Sequence, residues 1–149
     1  MSKQVALTAA AMLASGFLAL TGQEKAPPAV FTDSQASAGR SAYLSTCVKC
    51  HTESMIPAAD AMYMGQTIPP LAGPAFMARW GGQSTTDLAI RIQTAIGGFP
   101  PKDLDEQTYL KLTAYVLQVN GARAGTQELT KSTGVVVRTV TASSTHAER

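Results

Sequence analysis

The sequence predicts a mainly α fold, built as a small helical domain. Three stretches carry helix-starting residues followed by apolar positions at helical spacing. No stretch alternates apolar and polar residues as a half-buried strand would, and no internal repeat is present. Between the first and second helical stretches, residues 52–74 hold Pro57, Pro69, Pro70, Pro74, Gly65 and Gly73, which favours loop with room for one short helical turn. A domain of about 90–100 residues with this much loop is marginal on apolar burial alone, so a bound group is expected to complete its centre.

Taken in order, residues 1–22 read as an export signal. Lys3 supplies the positive start, residues 5–20 are apolar and rich in Ala and Leu, and Ala19, Thr21 and Gly22 are small. The run is short of the ~20 apolar residues of a membrane span, so cleavage is expected, with retention as an N-terminal anchor the alternative. Residues 23–34 form a leader, in which Asp33 or Ser34 would cap a first helix over 35–46. Gly39 and Tyr43 share one face of that helix. Ser84-Thr85-Thr86-Asp87 resembles a capping box opening a helix through Leu88, Ile92 and Ala95, stopped by Gly97-Gly98. Asp105 would cap a last helix through Val119, ended by Asn120-Gly121, with Leu112, Tyr115, Val116 and Val119 at helical spacing. The domain proper is thus expected over 35–121. Residues 122–149 form a polar C-terminal tail with a β-prone run at 135–137, either strapped over the surface or disordered.

The chemistry is concentrated in Cys47-Val48-Lys49-Cys50-His51. Two thiols three positions apart, followed at once by an imidazole, have the spacing of covalent c-type haem attachment. Each thiol adds across a haem vinyl group, and one helical turn sets both sulfurs along the same porphyrin edge. His51 then lies beneath the ring, where a neutral ring nitrogen can bind iron. These are the only two cysteines in the chain. A thioredoxin-like pair would open a helix after a strand in a βαβ unit, which is not seen. A zinc site would need two further ligands, and the only other histidine is His146 in the tail. A disulfide across two residues would be strained. With 12 basic and 10 acidic residues, the net charge of +2 argues against nucleic acid and against a strongly steered partner.

Other residues fall into a pattern with this motif. Gly39-x-x-x-Tyr43 precedes it, and Pro69-Pro70-Leu71-Ala72-Gly73-Pro74-Ala75-Phe76, Trp80 and Asp87-Leu88 follow. The last helix adds Tyr109-Leu110 and the run Ala114 to Gly121. Over residues 39–129 the chain resembles class I c-type cytochromes, in particular the haem domains and subunits serving periplasmic dehydrogenases such as quinoprotein alcohol dehydrogenases. The resemblance implies the class I cytochrome c fold, wrapped around one covalent haem c. It implies a close crossing of first and last helices, suited by Gly39 against Tyr115 with Tyr43 alongside. It implies a carbonyl of Pro69 or Pro70 that accepts the proton of the non-ligating His51 nitrogen. Pro70, Leu71, Phe76 and Trp80 would line the haem, with the indole N–H of Trp80 in reach of a propionate.

One departure from the family stands out. The methionine that serves as second axial ligand falls, by position, on Ile96, which has no donor atom. The distal face would then be open, or filled by a substitute, for which Met77 is the choice carried forward. Met55, Met62, Met64, Lys102 and His146 are the others. Loss of a thioether lowers the potential, and an open face admits CO or NO.

The expected function is a periplasmic single-haem electron carrier, taking electrons from a dehydrogenase toward the respiratory chain. It would not itself be an enzyme. Redox proteins are its expected partners (a dehydrogenase, a terminal oxidase or another cytochrome), with membrane contact only if the N-terminal segment is retained. The alternative is a haem-based small-ligand binder or sensor. Peroxidase-like catalysis would need a distal acid–base group, for which only Arg79 and Arg91 offer themselves.

Overall fold

In the computed structural model, residues 26–95 and 104–141 are described. They form a mainly helical body with one minimal hairpin. Helix α1 (Asp33–Thr46) starts two residues before the expected Gln35, because Thr32 is its cap rather than Asp33 or Ser34. Thr32 stands three residues before Gln35 in extended backbone, so the two close a capping box: the Gln35 N–H donates to Thr32 Oγ1 at 3.2 Å and the Thr32 N–H to Gln35 Oε1 at 3.4 Å. The helical path runs on through Cys47 into the single turn α2 (Val48–His51), with the Cys47 N–H still bonded to the Tyr43 carbonyl.

The proline-rich stretch that follows contains the antiparallel pair β1 (Met62–Tyr63) and β2 (Gln66–Thr67). Its two-residue connection, Met64-Gly65, takes left-handed angles at both positions, φ 48° and 77°, as a tight hairpin requires. Helix α3 (Gly73–Trp80) begins with Pro74 in its first turn, where the missing N–H has no intrahelical partner to lose. Helix α4 (Thr85–Ala95) opens on the expected box, Asp87 Oδ2 accepting from the Ser84 N–H and hydroxyl while the Asp87 N–H donates to Ser84 Oγ. Helix α5 (Glu106–Val119) is capped by Asp105, which accepts the Thr108 N–H at 2.7 Å. The expected stop at Gly97-Gly98 lies outside the described residues.

The principal helix pair is α1 against α5. Gly39 makes it possible: a Cβ placed there would stand 1.9 Å from the Lys111 carbonyl oxygen and 3.0 Å from the Tyr115 Cβ. One turn on, the Tyr43 and Tyr115 rings meet edge to face, centroids 5.6 Å apart. Phe76, Leu88, Leu112, Leu117 and Met55 complete the buried core.

The flanks belong to this body. In the leader, Val30 and Phe31 are buried, and the Phe31 carbonyl accepts the Gly125 N–H at 2.7 Å. Of the two fates open to the tail, residues 122–141 follow the strap. Buried Gln35 holds Leu129 at both ends of its amide, donating to the Leu129 carbonyl at 3.0 Å and accepting its N–H at 2.7 Å. The Thr85 hydroxyl donates to the Thr133 carbonyl, and the Thr85 N–H to Val135. The short helix α6 (Val137–Thr141) then buries Val137 and Val140. Neither flank could be read as core in the sequence, because each contributes only a short apolar run with no helical or strand period.

The crossing makes a sharp prediction. Gly39→Ala drives a methyl into backbone rather than into a yielding side chain, and should lower unfolding stability by at least ~2 kcal/mol in a denaturant titration. Gly82→Ala, where an added Cβ meets nothing within 4 Å, should be close to neutral in the same assay.

Candidate functional site

The end of α1 and the turn α2 carry Cys47, Cys50 and His51. Continuous helical hydrogen bonding sets their relation, since the N–H groups of both Cys50 and His51 reach the Cys47 carbonyl, at 3.2 and 3.0 Å. Both sulfurs are free thiols on partly buried residues. The Thr46 hydroxyl donates to the Ala42 carbonyl at 2.6 Å and also lies 3.2 Å from Cys47 Sγ. Burial pushes the Cys47 thiol above its ordinary value, outweighing the contact with Thr46 that acts the other way.

His51 Nδ1 lies 3.0 Å from the Pro69 carbonyl oxygen. A carbonyl can only accept, so Nδ1 carries the proton and Nε2 of the neutral ring is left with its lone pair. Burial holds the His51 pKa below the usual imidazole value, the Pro69 bond opposing it, which favours the neutral ring. The acceptor is thus Pro69 and not Pro70. The chain turns inward immediately after, where the Leu71 N–H donates to the Met55 carbonyl at 2.8 Å, and Pro70 itself is half-buried.

Two residues that the sequence reading used only for packing or helix ending fix this geometry. Asn120, at the end of α5, donates to the Leu71 carbonyl at 2.9 Å and accepts the Gly73 N–H at 3.1 Å, clamping the segment that presents Pro69. The Tyr43 hydroxyl donates to the Thr52 carbonyl at 2.6 Å, directly after His51. Burial, reinforced by Cys47 and Tyr115, raises the Tyr43 pKa far above the ordinary phenol value, so the donor proton stays in place. The only sequence signals were an asparagine rather than glycine closing α5 and a hydroxyl on an aromatic that faces a core.

The remaining candidates separate by position. Phe76 is buried, while Leu71 and Trp80 stay half-buried at the margin of the core. The Arg79 guanidinium stands 5.9 Å from the Trp80 ring centroid. Met77 Sδ lies 3.7 Å from the Thr141 hydroxyl, which also bonds the Val137 carbonyl at 3.0 Å, so the sulfur sits in the contact between α3 and α6. Met55 is wholly buried, whereas Met62 and Met64 are exposed on the hairpin. Ile96, Lys102 and His146 lie outside the described residues, as does the 1–22 segment.

A reactive redox pair needs a depressed thiol, and Cys47 moves the opposite way. Among the described residues no group of three or more His, Cys, Asp or Glu is placed to hold a metal ion. No helix of the described residues is long and apolar enough to cross a membrane. No family model matches the chain, and no curated protein or solved structure matches it either.

A pH signature follows from His51. Its proton affinity falls on folding, so the unfolded chain binds the extra proton and stability drops as pH falls through the unfolded imidazole value of about 6.5. Unfolding midpoints should therefore hold level between about pH 7 and 8 and decline as pH falls below about 6.5. In His51→Gln that decline should vanish. Asp87 and Asp105, held low by their hydrogen bonds to Ser84 and Thr108, titrate only below about pH 4 and leave this window clear.

Proposed function

We propose that this chain is an exported single-haem c-type cytochrome of the class I fold. Its role is to carry single electrons, taken from a dehydrogenase and passed toward the respiratory chain. The observation that carries the reading is the pairing of His51 Nδ1 with the Pro69 carbonyl at the foot of a turn bearing two thiols. That pairing leaves the one ring nitrogen suited to iron free and fixes the plane of the ring. The crossing of α1 over α5 at Gly39 is the packing the resemblance leads one to expect, and supports the fold assignment.

The donor set fits the group. Cys47 and Cys50 would hold it by adding each S–H across a vinyl double bond, so that no atom is lost, and His51 Nε2 would be its axial ligand. When bound, haem c supplies one-electron exchange at iron. The chain's own contribution is orientation and surroundings. Pro69 keeps the proton on Nδ1 and strengthens Nε2 as a donor. Leu71 and Trp80 present apolar surface at the core margin, beside half-buried Pro70 and over buried Phe76, and would line the group. Exposed Lys49 and half-buried Val48 between the thiols offer a small mixed surface for transient docking.

A second reading, a haem-based binder of CO or NO, rests on Ile96 at the position of the family's methionine. Met77, the substitute, has its sulfur packed between α3 and α6 beside Thr141.

Spectra of the full chain, matured in a host that attaches haem, separate these readings. We expect a reversible shift to a sharp reduced c-type spectrum, and a pigment that resists acid–acetone extraction. Cys47→Ser/Cys50→Ser should release all pigment to the solvent. No CO response of the reduced protein would favour the carrier; an immediate Soret shift would favour the ligand binder. A protein that carries no pigment after such maturation would overturn both.

A further inference from the structure

Thr52 follows His51 at φ 61° and ψ 168°, a backbone region that is essentially reserved for glycine. A β-branched residue there is held against its own preference, so the surroundings must impose the conformation. Two bonds on the Thr52 backbone do so. Its N–H closes α2 onto the Val48 carbonyl at 2.9 Å, and its carbonyl accepts the buried Tyr43 hydroxyl at 2.6 Å. The Tyr43 ring cannot move away, because it is 1% exposed and packed edge to face on Tyr115.

The consequence lies one residue back. Were Thr52 to relax to an ordinary extended or helical φ, the exit from α2 would rotate, and the Thr52–Met55 turn would move with it. That turn is closed by the Met55 N–H on the Thr52 carbonyl at 3.3 Å, and Met55 in turn holds the Leu71 N–H. Leu71 is two residues from Pro69, the partner of His51. Thr52 is thus common to both sides of the His51–Pro69 pair: it is bonded next to the ligand and tied through Met55 to the acceptor.

We propose that the Tyr43 hydroxyl is a positioning group for His51. By holding the Thr52 carbonyl it keeps the strained exit from α2 in place and so keeps the imidazole aimed at Pro69. The inference rests on the haem reading for its functional meaning, but its geometry does not need the group. In a loaded protein, loosening the Nδ1–H bond weakens the electron donation of Nε2, so the reduction potential should rise.

The test is Tyr43→Phe in the full chain as purified, in its reduced form, against wild type and against the same change in Thr52→Gly. Phenylalanine keeps the ring and its packing and removes only the donor. Nitrogen NMR of His51 should show the Nδ1–H exchanging roughly fivefold faster in Tyr43→Phe, the ratio given by one ordinary hydrogen bond. In the Thr52→Gly background, where a left-handed backbone carries no side-chain penalty, the same change should have little effect. Haem-loaded samples should show the potential rise in the first case and not in the second. Unchanged exchange in a folded Tyr43→Phe would overturn the inference, as would an equal effect in both backgrounds. If Tyr43→Phe does not fold, folding of the double variant would uphold the coupling to Thr52, and failure of both would overturn it. Absence of haem would sink the functional reading alone, since the exchange measurement stands without it.

Discussion

The contact that the rest of the structure depends on is the approach of α1 to the Lys111 carbonyl at Gly39. Only a residue without a side chain admits that distance. The approach determines where the two ends of the helices fall. The C-terminal end of α1 delivers Cys47, Cys50 and His51, and the C-terminal end of α5 delivers Asn120. Asn120 grips the Leu71–Gly73 backbone and so presents the Pro69 carbonyl to His51. The histidine and its acceptor stand 18 positions apart in the chain, yet their distance is set by a helix crossing.

Stability and site geometry are coupled through the same residues. Tyr43 fills the α1–α5 interface with its ring and holds the backbone after His51 with its hydroxyl. Gln35 caps α1 with one end of its hydrogen-bonding capacity and fastens the strap at Leu129 with the rest. The strap then pins the start of α4 through Thr85 and covers α3 through α6, where Thr141 meets Met77. Buried polar side chains of this kind hold position only while fully bonded, and none of the described ones is left without a partner.

Much of this was legible in the sequence, for physical reasons that differ by element. The helices over α4 and α5 announce themselves by short polar caps, Ser84 and Asp105, followed by apolar residues at helical spacing, and both caps are in place. The start of α1 was missed by two residues because Asp33, Ser34 and Thr32 are all good caps by type, and only the reach of Gln35 selects Thr32. The hairpin at Met62 to Thr67 was illegible, since two-residue strands have no period and Met64 is an unusual residue for a left-handed turn. At the site, the Cys47-x-x-Cys50-His51 order is plain in the sequence, and the family resemblance implied a proline carbonyl partner for His51. The choice of Pro69, the Asn120 clamp and the Tyr43–Thr52 bond could not be read there, because each joins segments whose distance only the folded chain defines.

The central claim is that Cys47 and Cys50 exist in the mature protein as two thioethers to one group, with His51 beneath it. The most direct measurement is peptide-level mass spectrometry of the exported, mature chain after exhaustive alkylation. The account predicts that Cys47 and Cys50 escape alkylation together, in fragments carrying the mass of one haem with both vinyl groups saturated by sulfur. Recovery of both residues as alkylated free thiols, from a host competent in haem attachment, would contradict it.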